Sequence, residues 1–229
     1  TTASDLDSIV HFYGTRNQLP NFKAQFEQFA PNVVLDIIPF TEAQAQDVVQ
    51  VLGGFTQRIV AISSGDVYRN YEGLQGQGKH PPDPVPLAED APLRETRYPY
   101  RNLEGLDFEF KQDYDKILVE QMLMQHPDIY CTILRLPAMY GAGDRQHRFL
   151  PYLQQMFDQQ PILLDEQQAQ WRFSHGYVEN IAAAIALAVT DDRAAGGIYN
   201  LGEASTPALL ERIQRLGNLV NWHGEIVTL

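Results

Sequence analysis

The sequence predicts an α/β fold built on a doubly wound, parallel β-sheet, and two observations predict it. Short apolar runs rich in β-branched residues recur along the chain, as expected of strands buried on both faces of a parallel sheet. Segments with helical spacing of apolar residues separate these runs, and such alternation is typical of doubly wound sheets. With 229 residues, 44% of them hydrophobic, the chain is long enough to bury a complete core.

The apolar runs predict the strands. We expect sheet strands at residues 9–13, 33–38, 58–63 and 131–136, a short later strand at 198–201, and a final strand at 224–229 that stops abruptly. Residues 137–141 form a predicted turn. Residues 71–102 carry many glycines and prolines and predict a loop, and a loop of this length is usually functional or disordered.

The helices follow from apolar residues that repeat with helical spacing. Three early helices are predicted from these faces: Phe22, Phe26 and Phe29; Ala45, Val48, Val49 and Leu52, behind Thr41 as a cap; and Tyr114, Ile117, Leu118 and Met122. Later helices are expected to begin at Phe149, to cover residues 178–189, and to run from the pair Thr206-Pro207 to about Leu219.

Composition narrows the class of partner. The chain has 17 basic and 29 acidic residues, a net charge of −12, which argues against nucleic acid and anionic membranes as partners. The lone Cys131 lies in an apolar run and predicts an inert, buried thiol in a reducing, cytosolic setting. No apolar run is long enough to span a bilayer, and residues 1–5 lack the features of a signal peptide. The six histidines show no metal-ligand spacing.

Ser64 and Asp66 are the first candidates for chemistry. Both follow the predicted strand at 58–63, and ligands bind at the carboxyl ends of strands in open α/β sheets. A hydroxyl there can hydrogen-bond a substrate oxygen, and a partly desolvated carboxyl can act as acid or base. The alternative is that both side chains only bind the amides of a turn, as such residues often do.

Two further candidates have simple structural alternatives. Lys116 could bind a ribose hydroxyl at the cleft, or pair with Glu120 four residues later on one helix. Arg172 precedes a predicted helix and could grip a diphosphate, or pair with Asp165 or Glu166 at the surface.

Ser63 suggests a different chemistry. Residues 61–65 fit a relaxed nucleophile-elbow pattern with Ser63 at the elbow. That pattern requires a helix directly after the turn, and here the chain leads into the Gly/Pro-rich segment. A serine hydrolase is therefore a weaker hypothesis.

Five motifs in order resemble one family. They are Ser63-Ser64-Gly65-Asp66-Val67-Tyr68, Lys116-x-x-x-Glu120, Leu134-Arg135-Leu136-Pro137-Ala138-Met139-Tyr140-Gly141, Arg172 with Gly176-Tyr177-Val178-Glu179-Asn180, and Tyr199-Asn200-Leu201-Gly202. Together they resemble the NAD-dependent epimerase/dehydratase family of extended short-chain dehydrogenase/reductases. The resemblance implies a Rossmann-like core at residues 1–140 and 174–200, and a small substrate-binding region at 141–173 and 201–229.

The resemblance also implies roles for single residues. Ser64, Asp66 and Lys116 would be catalytic. NAD or NADP would lie against Asp36, Ile37, Ile38, Lys116, Pro137, Ala138 and Met139. A nucleotide-sugar-like substrate would be held by Arg172, Tyr140 and Arg148. A homodimer is a further expectation from the family.

The chain departs from the family pattern at the catalytic tyrosine. The position four before Lys116 is Gln112, which cannot supply a phenolate base. On a continuous helix Tyr114 would lie about 200° from Lys116 and face away from it. Tyr68, Tyr98 or Tyr100 could substitute from the loop.

A second departure is the lack of a Gly-x-x-Gly-x-x-Gly turn at the start. Residues 9–13 resemble the third strand of the family, so the first two strands are expected to be missing from an N-terminally incomplete sheet. The chain would then be a fragment, or residues 9–13 would pair directly with 33–38, or another chain would fill the gap. The sequence thus predicts an atypical family enzyme, with a catalytically inactive binding or scaffold protein as the alternative.

Overall fold

The computed structural model describes residues 9–74, 79–105 and 107–229, apart from the side chains of residues 73 and 74. The predictions made for residues 1–5, and for the part of the Gly/Pro-rich loop at 75–78, lie outside the described residues. Within the described ranges, no helix is long and apolar enough to cross a membrane.

The main sheet has four parallel strands in the order β1-β2-β3-β7. Their bounds are β1 Val33–Asp36, β2 Arg58–Ser64, β3 Tyr130–Leu136 and β7 Ile198–Asn200. Two small parallel pairs accompany this sheet: β4 Ala138–Tyr140 with β6 His175–Tyr177, and β5 Ile162–Leu164 with β8 Ile226–Thr228. The predicted parallel α/β architecture is confirmed.

Eight α-helices occur in the described residues. They are α1 Lys23–Phe29, α2 Glu42–Leu52, α3 Arg69–Leu74, α4 Lys116–Met124, α5 Leu150–Phe157, α6 Glu166–Gln170, α7 Val178–Thr190 and α8 Leu209–Leu219. Three 3-10 helices cover Arg16–Phe22, Gly65–Val67 and Asp192–Ala194. Thr41 caps α2 as predicted, because its hydroxyl accepts a hydrogen bond from the Gln44 amide at 3.2 Å.

Helices cover both faces of the main sheet. Alternate residues of β2 explain this: Ile59 and Ala61 pack with α2 and α4 on one face, whereas Val60 and Ile62 pack toward α7 on the other. A separate cluster joins α5, β5, α6 and α8 around Met156. The predicted division into a Rossmann-like core and a small substrate-binding region stays a proposal. This separate cluster around Met156 supports it.

The strand predicted at residues 9–13 is wrong. These residues form no strand, and Ile9, Val10 and Tyr13 are 49%, 59% and 86% exposed. β1 also ends two residues before the predicted bound, so that Ile37 and Ile38 lie beyond the strand and are exposed. An apolar, β-branched composition alone does not make a strand where the chain has no neighbouring strand to pair with.

Three helix boundaries also differ from the prediction. Asp115 caps α4 by accepting a hydrogen bond from the Ile117 amide at 3.0 Å, so Tyr114 lies before the helix. Helix α3 covers residues 69–74, where a loop was predicted from residue 71. Helix α8 begins at Leu209 with Ala208 at its N-cap, and Pro207 stays outside.

Candidate active site

The candidate site lies where β2 and β3 end side by side. Ser64 is paired in register with Leu136, so the segment after β2 and the segment after β3 face the same space. A cavity of about 530 Å³ opens there. Of the predicted residues, it is lined by Ser64, Asp66, Pro137, Ala138 and Arg148. The carboxyl ends of parallel strands therefore position the site, as expected for an open α/β sheet.

Asp66 is the centre of a tyrosine cluster. Its Oδ2 accepts hydrogen bonds from Tyr114 Oη at 2.7 Å and from Tyr100 Oη at 2.9 Å. Tyr71 Oη lies 3.1 Å from Tyr100 Oη, which extends the chain of hydroxyls. Asp66 is 3% exposed, and its Oδ1 has no partner among the described residues. Tyr100 and Tyr71 are only partly buried, so they connect the carboxyl to the cavity.

Burial sets the proton affinities of this cluster. Desolvation raises the pKa of Asp66, against the hydrogen bond from Tyr114 and the charge of Arg94, which act to lower it. Desolvation and the nearby Asp66 raise the pKa values of Tyr100 and Tyr114. Both phenols therefore stay protonated, and the carboxyl is the group of the cluster that can take up and release a proton.

The backbone at Tyr114 removes the premise of the prediction that it faces away from Lys116. The 200° argument assumed a continuous helix, and α4 begins only at Lys116. Before it, Tyr114 forms an isolated antiparallel bridge with Thr41, and the Asp115 amide donates to the Phe40 carbonyl at 3.0 Å. The extended backbone turns Tyr114 toward Asp66. The family tyrosine is thus lacking at Gln112, but two other phenols reach the site.

Arg94 ties the segment carrying Asp66 to the start of α4. Its Nε donates to the Asp66 carbonyl at 3.0 Å, and its Nη2 donates to Asp115 Oδ1 at 2.6 Å. Both side chains of this ion pair are 0% exposed. Nothing local in the sequence indicated this residue, because its partners are 28 and 21 positions away.

Lys116 lies beside the site, but it does not line the cavity. Its Nζ donates to the carbonyls of Ile62 at 2.8 Å and Pro39 at 2.9 Å. It does not pair with Glu120, whose carboxylate instead binds Arg135. The surface-pair alternative for Lys116 is therefore wrong. Burial lowers the pKa of the Lys116 amine to about 8, against the nearby carboxylates of Asp66 and Asp36.

The buried amine makes stability depend on alkaline pH. Its pKa falls from 10.5 to about 8 in the folded state, so between these values the unfolded chain binds more protons. The free energy of unfolding should therefore rise with pH across this window, relative to Lys116→Met, by up to about 3 kcal/mol. Urea unfolding of both proteins at several pH values measures the difference.

The exposed Lys23 offers a matched control, since Lys23→Met removes an ammonium from the surface. The difference in the free energy of unfolding between wild type and Lys23→Met should stay constant from pH 7.5 to 10.5. This range spans the lowered pKa of Lys116. A constant difference for Lys116→Met as well would contradict the account, because it would mean that the folded protein holds this amine charged.

Ser63 belongs to a buried network rather than to a nucleophile site. Its hydroxyl donates to Glu120, and Arg135 binds both oxygens of that carboxylate at 3.0 and 2.7 Å. Arg135 also donates to Tyr68 Oη at 2.7 Å, and Tyr68 donates to Asn200. The serine is 3% exposed and no histidine hydrogen-bonds it among the described residues. The geometry gives the hydrolase hypothesis no support.

The residues predicted to hold the cofactor are not brought together. Pro137 and Ala138 line the smaller cavity, whereas Met139 is 36% exposed and lines neither cavity. Both oxygens of Asp36 are bound by the guanidinium of Arg16. Within the described ranges, these residues do not form a cradle for a dinucleotide.

The residues predicted to hold the substrate fall into three places. Arg148 lines the smaller cavity and donates to Asp144 Oδ1 at 2.7 Å. Tyr140 lines neither cavity, and its hydroxyl donates to Glu203 Oε1 at 2.8 Å. Arg172 lines a second cavity and donates to the Thr206 carbonyl at 2.8 Å.

Arg172 forms no ion pair with Asp165 or Glu166 in the part of the chain that the structure describes, so that alternative is wrong. Asp165 instead caps α6, accepting from the amides of Gln167 and Gln168. No motif in the sequence indicated Arg212, which lines the smaller cavity and pairs with Glu203 at 2.9 Å.

The second cavity is larger, with a volume of about 1030 Å³, and adjoins the first. It is lined by the proline-rich segment at residues 80–87 and by residues from the ranges 167–174 and 200–206. Both cavities are lined by Gly65, Tyr71, Leu136, Pro137, Trp171 and Phe173. Trp171 and Phe173 stack with their ring centroids 5.0 Å apart, so an aromatic edge separates two connected spaces.

Comparison with known proteins identifies the class. The profile of the NAD dependent epimerase/dehydratase family matches residues 4–202. The chain belongs to this family, as the five motifs predicted. No curated protein sequence matches the chain.

Solved structures show the same fold. UDP-glucose 4-epimerase from Thermotoga maritima, solved with UDP-glucose, is 11% identical with a TM-score of 0.66, over 97% of this chain and 72% of that one. UDP-glucuronic acid 4-epimerase from Bacillus cereus, in complex with UDP-glucuronic acid and NAD, is 16% identical with a TM-score of 0.63, over 99% and 71%. RMD from Pseudomonas aeruginosa, complexed with NADPH, is 18% identical with a TM-score of 0.65, over 96% and 76%. The predicted Rossmann-like fold is confirmed.

Proposed function

We propose that this protein performs acid–base chemistry on a hydroxyl of a sugar-like substrate, as an atypical family enzyme. The observation that carries the proposal is the buried Asp66 carboxyl bound by the two phenols Tyr100 and Tyr114 at the edge of the smaller cavity. Functional sites are where desolvation and specific partners shift pKa values together. This arrangement replaces the missing tyrosine at Gln112.

Tyr100 is the group that would touch the substrate. It lines the cavity and is only partly buried, whereas Asp66, which also lines the cavity, is 3% exposed. As the substrate hydroxyl gives its proton to Tyr100 Oη, Tyr100 gives its own proton to Asp66 Oδ2, and the substrate is left as an alkoxide. Conversion of that alkoxide to a carbonyl would need a hydride acceptor, which NAD or NADP would supply; without one, the reverse step returns both protons and the substrate is unchanged. No free phenolate forms, which suits a tyrosine whose pKa is raised.

Ser64 and Lys116 have supporting roles in this proposal. Ser64 lines the cavity, and its hydroxyl accepts from the Asp66 amide at 3.2 Å, so it can donate its own proton to the reacting oxygen. Lys116 acts through its charge, which favours the ionised form of Asp66. Arg148 and Arg172 would contact the remainder of the substrate.

NAD or NADP enters only as the cofactor expected from the family, where it supplies hydride transfer. Of the seven predicted contact residues, only Pro137 and Ala138 line the smaller cavity. Lys116 is held by two carbonyls and Asp36 by Arg16. The described residues therefore do not fit a whole dinucleotide, and we route no step through it. A homodimer and a cytosolic setting stay predictions.

The non-catalytic binding protein is the second candidate, favoured by the same lack of a dinucleotide cradle. Incubation of the chain with UDP-glucose, UDP-glucuronic acid and matched aryl glycosides, with NAD or NADP present, separates the two. Proton NMR should show slow conversion of the sugar of at least one compound. Binding without conversion of any compound that binds would contradict the enzyme proposal and favour the binding protein.

A further inference from the structure

The charges that line the two cavities are almost fully compensated from within the protein. Four of the five lining arginines already bind carboxylates: Arg69 with Asp83, Arg135 with Glu120, Arg148 with Asp144, and Arg212 with Glu203. Of these five arginines, only Arg172 has no carboxylate partner among the described residues, and it donates to a carbonyl. The site therefore offers a ligand about one uncompensated positive charge.

A nucleoside diphosphate fits such a site poorly. Its dianionic diphosphate needs several charge-assisted hydrogen bonds from cations. To supply them, the paired arginines would have to leave carboxylates that would then lie uncompensated beside the ligand. The net charge of −12 adds a long-range repulsion of anions.

The larger cavity suits an apolar ring instead. Its proline-rich wall and the stacked Trp171–Phe173 pair offer flat apolar surface. Several polar groups that line this cavity already have partners within the protein: Asn200 donates to the Leu87 carbonyl and accepts from Tyr68, and Arg69 binds Asp83. Apolar cavities with few convergent polar groups are typical sites for organic ligands.

We propose that the substrate is a sugar-like ring joined to a bulky apolar ring with at most one negative charge, the sugar in the smaller cavity and the apolar ring in the larger. This inference rests on the proposed function, because the sugar-like part is placed by the Asp66 cluster. It names a substrate class that differs from the dianionic nucleotide sugars of the similar structures.

Calorimetric titration of 4-nitrophenyl α-glucoside and UDP-glucose tests the inference, since they share the α-linked glucose ring. We expect the aryl glucoside to bind at least about tenfold more tightly, because UDP-glucose lacks about one charge-assisted partner. Glu203→Gln frees Arg212 from its carboxylate partner. In this variant the affinity for UDP-glucose should rise at least about fivefold, and the affinity for the aryl glucoside should change little. Equal or tighter binding of UDP-glucose by the wild type would overturn the inference, as would no binding of the aryl glucoside.

A separate variant tests whether the apolar ring binds in the larger cavity. Ala204 lines the larger cavity and is exposed, so Ala204→Trp fills the cavity without disturbing the core. It should weaken binding of the aryl glucoside about tenfold, whereas Ala183→Trp on the exposed face of α7 should leave that binding unchanged. Unchanged affinity in Ala204→Trp would overturn the placement. Binding of the aryl glucoside without conversion refutes the proposed function alone and leaves the substrate class standing.

Discussion

Replacing Arg94 by methionine should lower the free energy of unfolding by about 3–5 kcal/mol, because it leaves the carboxylate of Asp115 uncompensated in the interior. Both side chains of this pair are 0% exposed, so water cannot take the place of the guanidinium. The variant also loses the hydrogen bond to the Asp66 carbonyl and thereby loosens the segment that carries the site. Urea denaturation monitored by circular dichroism measures the loss.

The control for Arg94 is a solvent-exposed ion pair. Arg215 pairs with Glu211 one turn apart on α8, and the side chains are 58% and 44% exposed. Arg215→Met should therefore cost no more than about 0.5 kcal/mol. Equal losses in the two variants would show that the Arg94 pair does not carry the stability assigned to it.

Replacing Asp66 by asparagine should slow conversion of any compound that the wild type turns over by about 10²–10⁴-fold. Asparagine keeps the shape of the side chain and can still accept from Tyr100 or Tyr114, but it cannot take up a proton. Binding should change little, since the amide oxygen can still accept from the phenols that line the cavity. NMR rates for conversion, together with calorimetric affinities, separate the two effects.

Asp66→Asn should also become more stable relative to the wild type as pH rises. The pKa of Asp66 is raised in the folded state, so its favourable contribution is present at low pH and is lost as pH rises through the folded value. Asp113→Asn changes an exposed carboxyl next to Tyr114 and should alter neither rate nor stability appreciably. A wild-type rate in Asp66→Asn would contradict the role of Asp66 as proton acceptor.

The sheet was predictable because its strands are buried on both faces. β2 and β3 have nearly continuous apolar runs, which are typical of strands buried on both faces of a parallel sheet. Residues 9–13 have the same composition but remain irregular, since strand formation also requires a neighbouring strand. Tyr114 shares helical spacing with Ile117 and Leu118, which suggested that it belongs to the helix. Asp115 is a typical N-cap residue, and this signal could have placed the start of the helix after Tyr114.

The site was predictable only in part. Ser64 and Asp66 follow a recognisable strand, and the topology places them at its carboxyl end. Tyr100 reaches Asp66 from 34 residues away through an irregular segment, and Glu203 pairs with Arg212 across a chain reversal. Such contacts depend on the tertiary path of the loops, which no local spacing encodes.

The most direct test of the account is a carbon NMR titration of the Asp66 carboxyl in protein labelled at the aspartate side-chain carbons, with Asp66→Asn assigning the signal. The account predicts that Asp66 titrates above the ordinary aspartate pKa of about 3.9, and higher still in Tyr114→Phe, which removes a hydrogen bond to the carboxylate. Titration at or below the ordinary value, unaffected by Tyr114→Phe, would contradict a buried proton acceptor at this site.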